Sequence, residues 1–299
     1  MPRLLPIFGL ALLFVPLAPQ AQPSAPDTLT AADGWLSDLA VQFAGSQAQY
    51  RNWQEGGIDA LAFSAQTEGV FYRASGGIRQ AHEVRLALGL VQQDTLSVRK
   101  ADDVARYGFG LEIETGGPFR PSFTATARTQ FIAGFDYSPG ADEYPGLTPE
   151  ATGEVKVSDA LAPLTLAQSA GVVYDPGGGF TARTGLGLKE TVVAIERLRT
   201  VYGNDPDELV RVEAGLDAEL RYRRPVFENV TLSSRLLAFQ AFNQLGNAAP
   251  DVLFENRLIM QVNPVLNVTL DAAALFDRDV SEELQLRQTL AVGLGFRLL

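Results

Sequence analysis

Charged and other polar or small side chains alternate with apolar ones along many stretches of this 299-residue sequence. Between Val210 and Tyr222, charged residues and one glycine alternate with apolar residues. A period of two places the two sets on opposite faces of a β-strand, whereas helical spacing would mix them. A charged face of this kind can be held together by ion pairs, or it can line a passage for small polar solutes.

Other stretches alternate in the same way, and together they predict a polar face built from many strands. Twelve side chains on that face are our candidates for setting solute selectivity: Glu112, Glu114, Arg128, Arg183, Lys189, Arg211, Glu213, Asp217, Glu219, Arg221, Glu255 and Arg257. The same pattern also includes Glu68, Glu83, Arg85, Arg106, Asp271 and Arg287.

Few residues are available for catalysis. Cysteine is absent, which excludes thiol nucleophiles and zinc–thiolate centres, and His82 is the one histidine. A serine nucleophile needs a nearby base, usually histidine, but His82 lies among apolar positions near a predicted inner turn, away from surface substrates. We therefore predict no catalytic residues, no metal site and no cofactor.

The net charge of −11 also argues against nucleic acid as a partner, because phosphate contacts rely on clustered Lys and Arg.

The amino-terminal segment predicts export. Arg3 is followed by an apolar run to about Leu17 and by small residues near Ala21, the pattern of a cleaved signal peptide. Prolines interrupt the run, which makes a membrane anchor the weaker reading. We predict a signal peptide over residues 1–22, a flexible lead-in over 23–35 and one β-domain over 36–299.

The β-domain is predicted to cross a membrane. Many of its alternating stretches exceed ten residues, the length that a tilted strand needs to span a bilayer, whereas strands of soluble proteins commonly have about 5–6. We predict an all-β, closed antiparallel transmembrane barrel of about 12 strands, with an apolar outside, a charged lumen and both termini in the periplasm. The stretches lie near 39–50, 58–73, 79–91, 103–115, 121–134, 161–174, 180–195, 208–223, 228–242, 251–263, 265–276 and 284–299.

The connections support this topology because short turns alternate with longer loops, as in bacterial outer-membrane barrels. Periplasmic turns are predicted at 75–77, 116–121, 175–179, 223–229 and 263–264. Outer loops are predicted at 92–103, 135–159, 196–208, 243–251 and 277–283, and a tight outer turn at Gly56 and Gly57. Aromatic residues near strand ends predict interface girdles: Trp53, Phe135 and Tyr137 at the outer side, and Tyr174 and Tyr222 at the inner side.

Several pieces of the chain, in this order, resemble an uncharacterised family of bacterial outer-membrane β-barrels that carries an Asn-Trp-x-x-Gly-Gly hairpin near its start. They are NWQEGG (52–57), RKADD (99–103), TQFIAGFDY (129–137), SDALAPLTL (158–166), ENVTLSSRLLAF (228–239) and NRLIMQVNPVLNVTL (256–270). The resemblance implies location and architecture, and it supplies no catalytic residues.

We therefore expect a bacterial outer-membrane barrel that acts as a small passive channel for hydrophilic solutes. One alternative is a non-conducting structural or surface-recognition barrel that acts through its outer loops, and a less favoured one is an outer-membrane hydrolase. The expected partners are outer-membrane lipids, lipopolysaccharide, the barrel-assembly machinery and small solutes.

Overall fold

The computed structural model describes residues 34–49, 58–140, 143–242, 250–263, 265–277 and 284–297. The predicted signal peptide, Trp53, Gly56 and Gly57 lie outside these ranges. The strands are β1 (Trp35–Ala48), β2 (Ala60–Ser75), β3 (Ile78–Gln93), β4 (Arg99–Ile113), β5 (Phe119–Thr129), β6 (Gly134–Asp136), β7 (Val155–Ser158), β8 (Leu164–Gly177), β9 (Phe180–Val192), β10 (Val210–Phe227), β11 (Val230–Ala241), β12 (Asp251–Gln261), β13 (Leu266–Phe276) and β14 (Gln285–Arg297). A 3₁₀ helix spans Glu196–Tyr202.

Twelve of these strands form one closed antiparallel barrel, which confirms the predicted fold. Each strand pairs with its neighbour in the chain, except that β5 pairs with β8 because β6 and β7 form a separate hairpin. The barrel closes where Ala40–Phe43 of β1 lie opposite Leu294–Arg297 of β14. The carboxyl-terminal stretch thus closes against the first strand, as the alternating pattern predicts.

The barrel reverses the usual distribution of apolar and polar side chains. Large apolar residues are exposed on the outside, including Phe43, Leu186 and Leu286, whereas Gln66 and Glu213 are buried in the interior. In water this arrangement would leave a large apolar surface exposed, but lipid accepts it and the interior keeps the polar groups partnered. None of the described helices is both long enough and apolar enough to cross a bilayer.

One predicted outer loop is shorter than expected. The stretch 92–103 was expected to be loop, but β3 continues to Gln93 and β4 begins at Arg99. Residues 99–103 still pair with β3, although their sequence is charged, because a β-bulge accommodates one extra residue. Leu90 lies opposite Lys100 and Gly89 opposite Asp102, which leaves Ala101 as the extra residue.

A predicted inner turn is also shorter than expected. The stretch 223–229 was expected to be turn, but β10 runs to Phe227 and β11 begins at Val230. A register shift between Pro225 and Phe227 lets the strand continue past the proline, which cannot donate a ladder hydrogen bond and is tolerated at such irregularities.

The wall requires glycine where neighbouring strands approach closely. A Cβ atom built on Gly215 of β10 would lie 2.3 Å from the carbonyl oxygen of Gln240 in β11, whereas one on Gly110 of β4 meets no atom within 4 Å. Both glycines lie within barrel strands, so the effects of an alanine substitution at the two positions can be compared directly.

We expect Gly215→Ala to lower the free energy of unfolding by about 1–3 kcal/mol, because the added methyl forces the two strands apart. Gly110→Ala should change it little. Urea unfolding in lipid vesicles, followed by tryptophan fluorescence, measures both. Equal effects of the two substitutions would contradict the close approach at Gly215.

Candidate functional site

The predicted polar residues of β9 and β10 come together inside the barrel as one ion-pair network. Arg183 lies directly opposite Glu219, and Lys189 lies opposite Glu213. Glu219 is nearly enclosed, with 9% of its side chain exposed. Its Oε1 atom accepts hydrogen bonds from Arg221 Nε at 2.7 Å and Arg235 Nε at 2.6 Å. Glu219 is thus the shared anion of two guanidinium groups, with Arg183 Nε 3.9 Å from its other oxygen.

A second carboxylate completes the network on the β9 side. Arg183 forms an ion pair with Asp217 and donates a further hydrogen bond to Ser169 Oγ at 2.7 Å. The Ser169 hydroxyl in turn donates to Asp217 Oδ1 at 2.5 Å. Three strands, β8, β9 and β10, are therefore joined on the lumen side by hydrogen bonds that are independent of the backbone ladder.

One ion pair crosses the lumen. Arg221 Nη1 lies 3.9 Å from Glu83 Oε1. Arg221 belongs to β10 and Glu83 to β3, and these strands are separated by four strands on one side of the barrel and six on the other. The pair therefore joins nearly opposite walls, and it marks a narrow level of the lumen. We call Glu83, Arg85, Arg106, Glu219, Arg221 and Arg235 the lumen belt.

A further cluster lies nearer the outer end. Lys189 Nζ is 3.6 Å from Glu213 Oε2 and 3.0 Å from Asp251 Oδ2. Arg211 Nη2 approaches the same Glu213 oxygen at 3.1 Å. Because Asp251 belongs to β12 and Lys189 to β9, this contact passes over the two strands between them. Ion pairs between non-adjacent strands therefore occur at two levels of the lumen.

Other predicted residues lie at the inner rim and on the remaining wall. Arg120 bridges Glu112, at 2.7 Å, and Asp175, at 2.8 Å. Glu114 follows the end of β4 and pairs with Arg79 at 2.5 Å. On the opposite wall, Arg257 pairs with Asp271 at 2.6 Å, and Glu255 lies 3.8 Å from Arg235. Arg128 lies opposite Arg106.

The sequence pattern missed Arg120, Ser169 and Arg235. Arg235 is the clearest case, because its strand face continues with Leu237 and Phe239 and lacks a consistent polar alternation. A single arginine between two serines and an apolar pair was the available signal.

The aromatic residues divide into two groups. Tyr174 contacts Phe119 with ring centroids 4.8 Å apart, and Tyr222 is exposed on the outside opposite Phe180. Both lie near the inner ends of their strands, as an interface girdle requires. The structure places Phe135 and Tyr137 instead in the outer loop.

Tyr137 packs on β4 because β5 ends at Thr129, opposite Ala105, and leaves the outer part of β4 without a strand partner on that side. The Arg99 guanidinium lies 4.4 Å from the Tyr137 ring, and Lys100 N donates to Tyr137 Oη at 3.2 Å. The loop thus fills a gap in the sheet, which explains why these rings do not mark a lipid interface.

Lys100 fastens this loop to the barrel. Its ammonium group donates to Asp103 Oδ2, Gln130 Oε1 and the carbonyl oxygen of Ile132, each at 3.2 Å. Asp103 also accepts from two backbone N–H groups, those of Phe131 and Ile132. A cavity of about 270 Å³ adjoins this cluster, but Lys100 already has its partners, so the cluster is a structural anchor.

Tyr202, at the end of the 3₁₀ helix, joins two outer loops. Its hydroxyl donates to the carbonyl oxygen of Val157 at 2.9 Å, and its ring packs against the buried cluster of Ala162, Val193 and Leu198. This burial raises the pKa of Tyr202 to about 12.

His82 lies on the outside of the barrel near the inner turn at Gly76 and Gly77. Its Nδ1 atom is 2.7 Å from Tyr107 Oη, and its Nε2 atom is 2.7 Å from Gln80 Nε2. The ring also lies 5.6 Å from that of Trp35. Both nitrogens are therefore engaged by neighbours within an aromatic, lipid-facing cluster.

The apolar exterior, the closed sheet and the charged interior together define a transmembrane β-barrel. Residues 46–135 match the model of a protein family of unknown function, DUF3078, which confirms the resemblance to an uncharacterised family. No curated protein matches the chain.

Solved structures similar to this chain include the translocator domain of the autotransporter NalP from Neisseria meningitidis, with 12% identity, a TM-score of 0.38 and coverage of 88% of each chain. The COG4313 outer-membrane channel from Pseudomonas putida F1 has 10% identity and a TM-score of 0.38, with 93% of this chain and 98% of that chain covered. The Pseudomonas putida toluene transporter TodX has 9% identity and a TM-score of 0.33, with 82% and 76% covered.

We expect Glu219→Gln to lower the free energy of unfolding by about 3 kcal/mol, because it removes the buried carboxylate that Arg221 and Arg235 share. Glu228→Gln, in an exposed inner turn, is the control and should be near neutral. Urea unfolding in vesicles measures the difference, and a Glu219→Gln barrel as stable as the control would contradict this role.

The raised pKa of Tyr202 predicts that the outer loops lose stability at alkaline pH. Its raised pKa means that the folded state holds the phenolic proton more tightly than the unfolded state, so its contribution to stability is complete below about pH 10 and is lost as pH rises towards 12. Absorbance titration at alkaline pH, taken as wild type minus Tyr202→Phe, should show a tyrosine ionising near the upper value. An ordinary tyrosine titration in the difference curve would refute the burial effect.

Proposed function

We propose that this protein is a narrow passive channel for small hydrophilic solutes in the bacterial outer membrane. The observation that carries the proposal is the Arg221–Glu83 pair, which crosses a lumen that is lined by charged groups. A charged lining gives a hydrated solute polar partners along its path and sets its selectivity. A barrel of about twelve strands is intermediate between filled small barrels and the open porins of about 16–18 strands.

The contact between Arg221 and Glu83 is weak enough for a passing solute to displace it. Its atoms are 3.9 Å apart, and 46% of the Arg221 side chain is exposed. Such a solvated pair contributes about 0–1 kcal/mol. Arg221 also keeps its shorter contact with Glu219 when the Glu83 contact is lost. The arginine can therefore move aside and still keep a carboxylate partner.

The outer membrane is the proposed location because three features agree. The exterior is apolar, the sequence begins with a predicted signal peptide, and closed barrels are the β-structures that lipid tolerates. Outer-membrane lipids, lipopolysaccharide and the barrel-assembly machinery are the corresponding proposed partners.

The second candidate is a non-conducting barrel that recognises surface partners through its outer loops. The observation in its favour is the anchored loop of residues 130–163, which Lys100 fastens to β4. A channel that needs only a passage has no evident use for so many loop contacts. Replacing residues 138–154 by a short glycine linker would remove a surface phenotype under this candidate and leave conductance unaffected.

We expect Arg221→Gln to raise single-channel conductance in planar bilayers, because it removes the contact that crosses the lumen. Glu83→Gln should act in the same direction. Arg73→Gln removes the same charge from an exposed position beside Trp35, outside the lumen, and is the matched control.

The opposite result has a clear meaning. If purified wild-type barrel and both lumen variants show no conductance at any voltage while they remain folded by heat-modifiable gel migration, the channel proposal is wrong. Higher conductance in the Arg73→Gln control alone would show that the effect does not come from the lumen.

A further inference from the structure

Three arginines lie side by side on the lumen face of adjacent strands. Arg85 of β3 is directly opposite Arg106 of β4, and Arg106 is directly opposite Arg128 of β5. Directly opposed side chains in an antiparallel sheet have Cβ atoms only about 4.5–5.5 Å apart, and like charges at such positions are destabilising. A row of this kind needs negative charge close to it.

Within this row, Arg85 and Arg106 lack the close carboxylate contacts that several other lumen arginines have. Arg120, Arg235 and Arg257 each hold a carboxylate oxygen at 2.6–2.7 Å. Arg85, in contrast, is 3.7 Å from Glu68. Arg106 forms no ion pair or hydrogen bond with any other side chain in the part of the chain that the structure describes.

The surroundings of Arg106 add a further cation. Arg235, on the opposite wall, repels it, and Arg85 repels it from the adjacent strand. Glu83, Glu255 and Glu68 attract Arg106, but Glu83 is also engaged by Arg221, Glu255 by Arg235 and Glu68 by Arg85. Arg106 thus shares each of these carboxylates with another arginine and forms a close ion pair with none of them.

We propose that Arg85, Arg106 and Arg235 form a binding site for a small inorganic oxyanion, and that the channel therefore favours small anions over cations. The guanidinium group suits this ligand because its planar N–H donors match the oxygens of phosphate in a bidentate arrangement. The anion must be small because Arg221 and Glu83 cross the lumen within the same belt. The selectivity rests on the channel function proposed above, whereas binding by the site does not.

The first experiment measures selectivity. Reversal potentials are recorded across a KCl gradient for wild type, Arg106→Gln, Arg106→Lys and the control Arg73→Gln. Wild type should favour chloride. Arg106→Gln should lower the chloride-to-potassium permeability ratio by about 30-fold, because one unit charge about 4 Å away in water-like surroundings changes the permeability of each ion about fivefold, in opposite directions. Arg106→Lys and Arg73→Gln should remain close to wild type.

Inorganic phosphate then tests the site itself. Millimolar phosphate should reduce the chloride current of wild type but not that of Arg106→Gln. In detergent, phosphate should raise the unfolding temperature of wild type and leave that of Arg106→Gln unchanged, because a ligand that binds only the folded state stabilises it. Arg106→Gln should fold at least as well as wild type, since the substitution removes repulsion in the row.

The outcomes separate the two proposals. A folded barrel without conductance, but with phosphate-dependent stabilisation that Arg106→Gln abolishes, overturns the channel and retains the anion site. A conducting barrel that favours potassium, or whose chloride preference and phosphate response survive Arg106→Gln, retains the channel and overturns the anion site.

Discussion

Every backbone N–H and C=O group at the depth of the lipid must find a partner within the sheet, because hydrocarbon offers none. Closure of β1 against β14 meets this requirement, and among the residues that the structure describes four pairs join the two strands, from Ala40 opposite Arg297 to Phe43 opposite Leu294. Once the sheet is closed, its two faces have different solvents. The outer face must be apolar, and the charged residues of the alternating strands are directed inward together.

This constraint explains why the lumen depends on shared carboxylates. Isolated charges in an enclosed space are expensive, and they are tolerated where they are paired and hydrogen bonded. Glu219 receives two arginines at hydrogen-bond distance and lies near a third. Such sharing lets few acidic groups neutralise several basic ones on neighbouring strands. It also lets Arg221 keep one carboxylate when it releases another, which connects the stability of the wall to the proposed passage through the lumen.

The fold was predictable from the sequence because lipid and lumen impose a strict period of two. The stretch Val210–Tyr222 obeys it at every position. Strand bounds and residue locations were predicted less well where the period of two breaks down. Residues 99–103 are charged like a loop and yet continue β4 through a bulge. Phe135 and Tyr137 resemble girdle residues by position, but they fill the gap beyond the end of β5. Local sequence records neither the length of a neighbouring strand nor the presence of a gap.

The sequence predicts which residues face the lumen, but it does not predict which of them contact one another. Periodicity places Arg221 and Glu83 on the lumen side, but their contact depends on which strands stand opposite one another, and that follows from strand number and stagger. The position of Arg106 between two other arginines, Arg85 and Arg128, is likewise visible only in the register of three strands.

Net charge would have suggested the reverse preference, because the chain carries −11 overall. Charges farther away than about 8–10 Å are largely screened at ordinary ionic strength, so the acidic outer loops have little influence on an ion inside the belt. An ion at that level responds to the groups beside it, and there the arginine row is flanked by carboxylates that other arginines already hold. The selectivity of a narrow barrel is therefore a property of its closest few side chains, and the register of the sheet decides which these are.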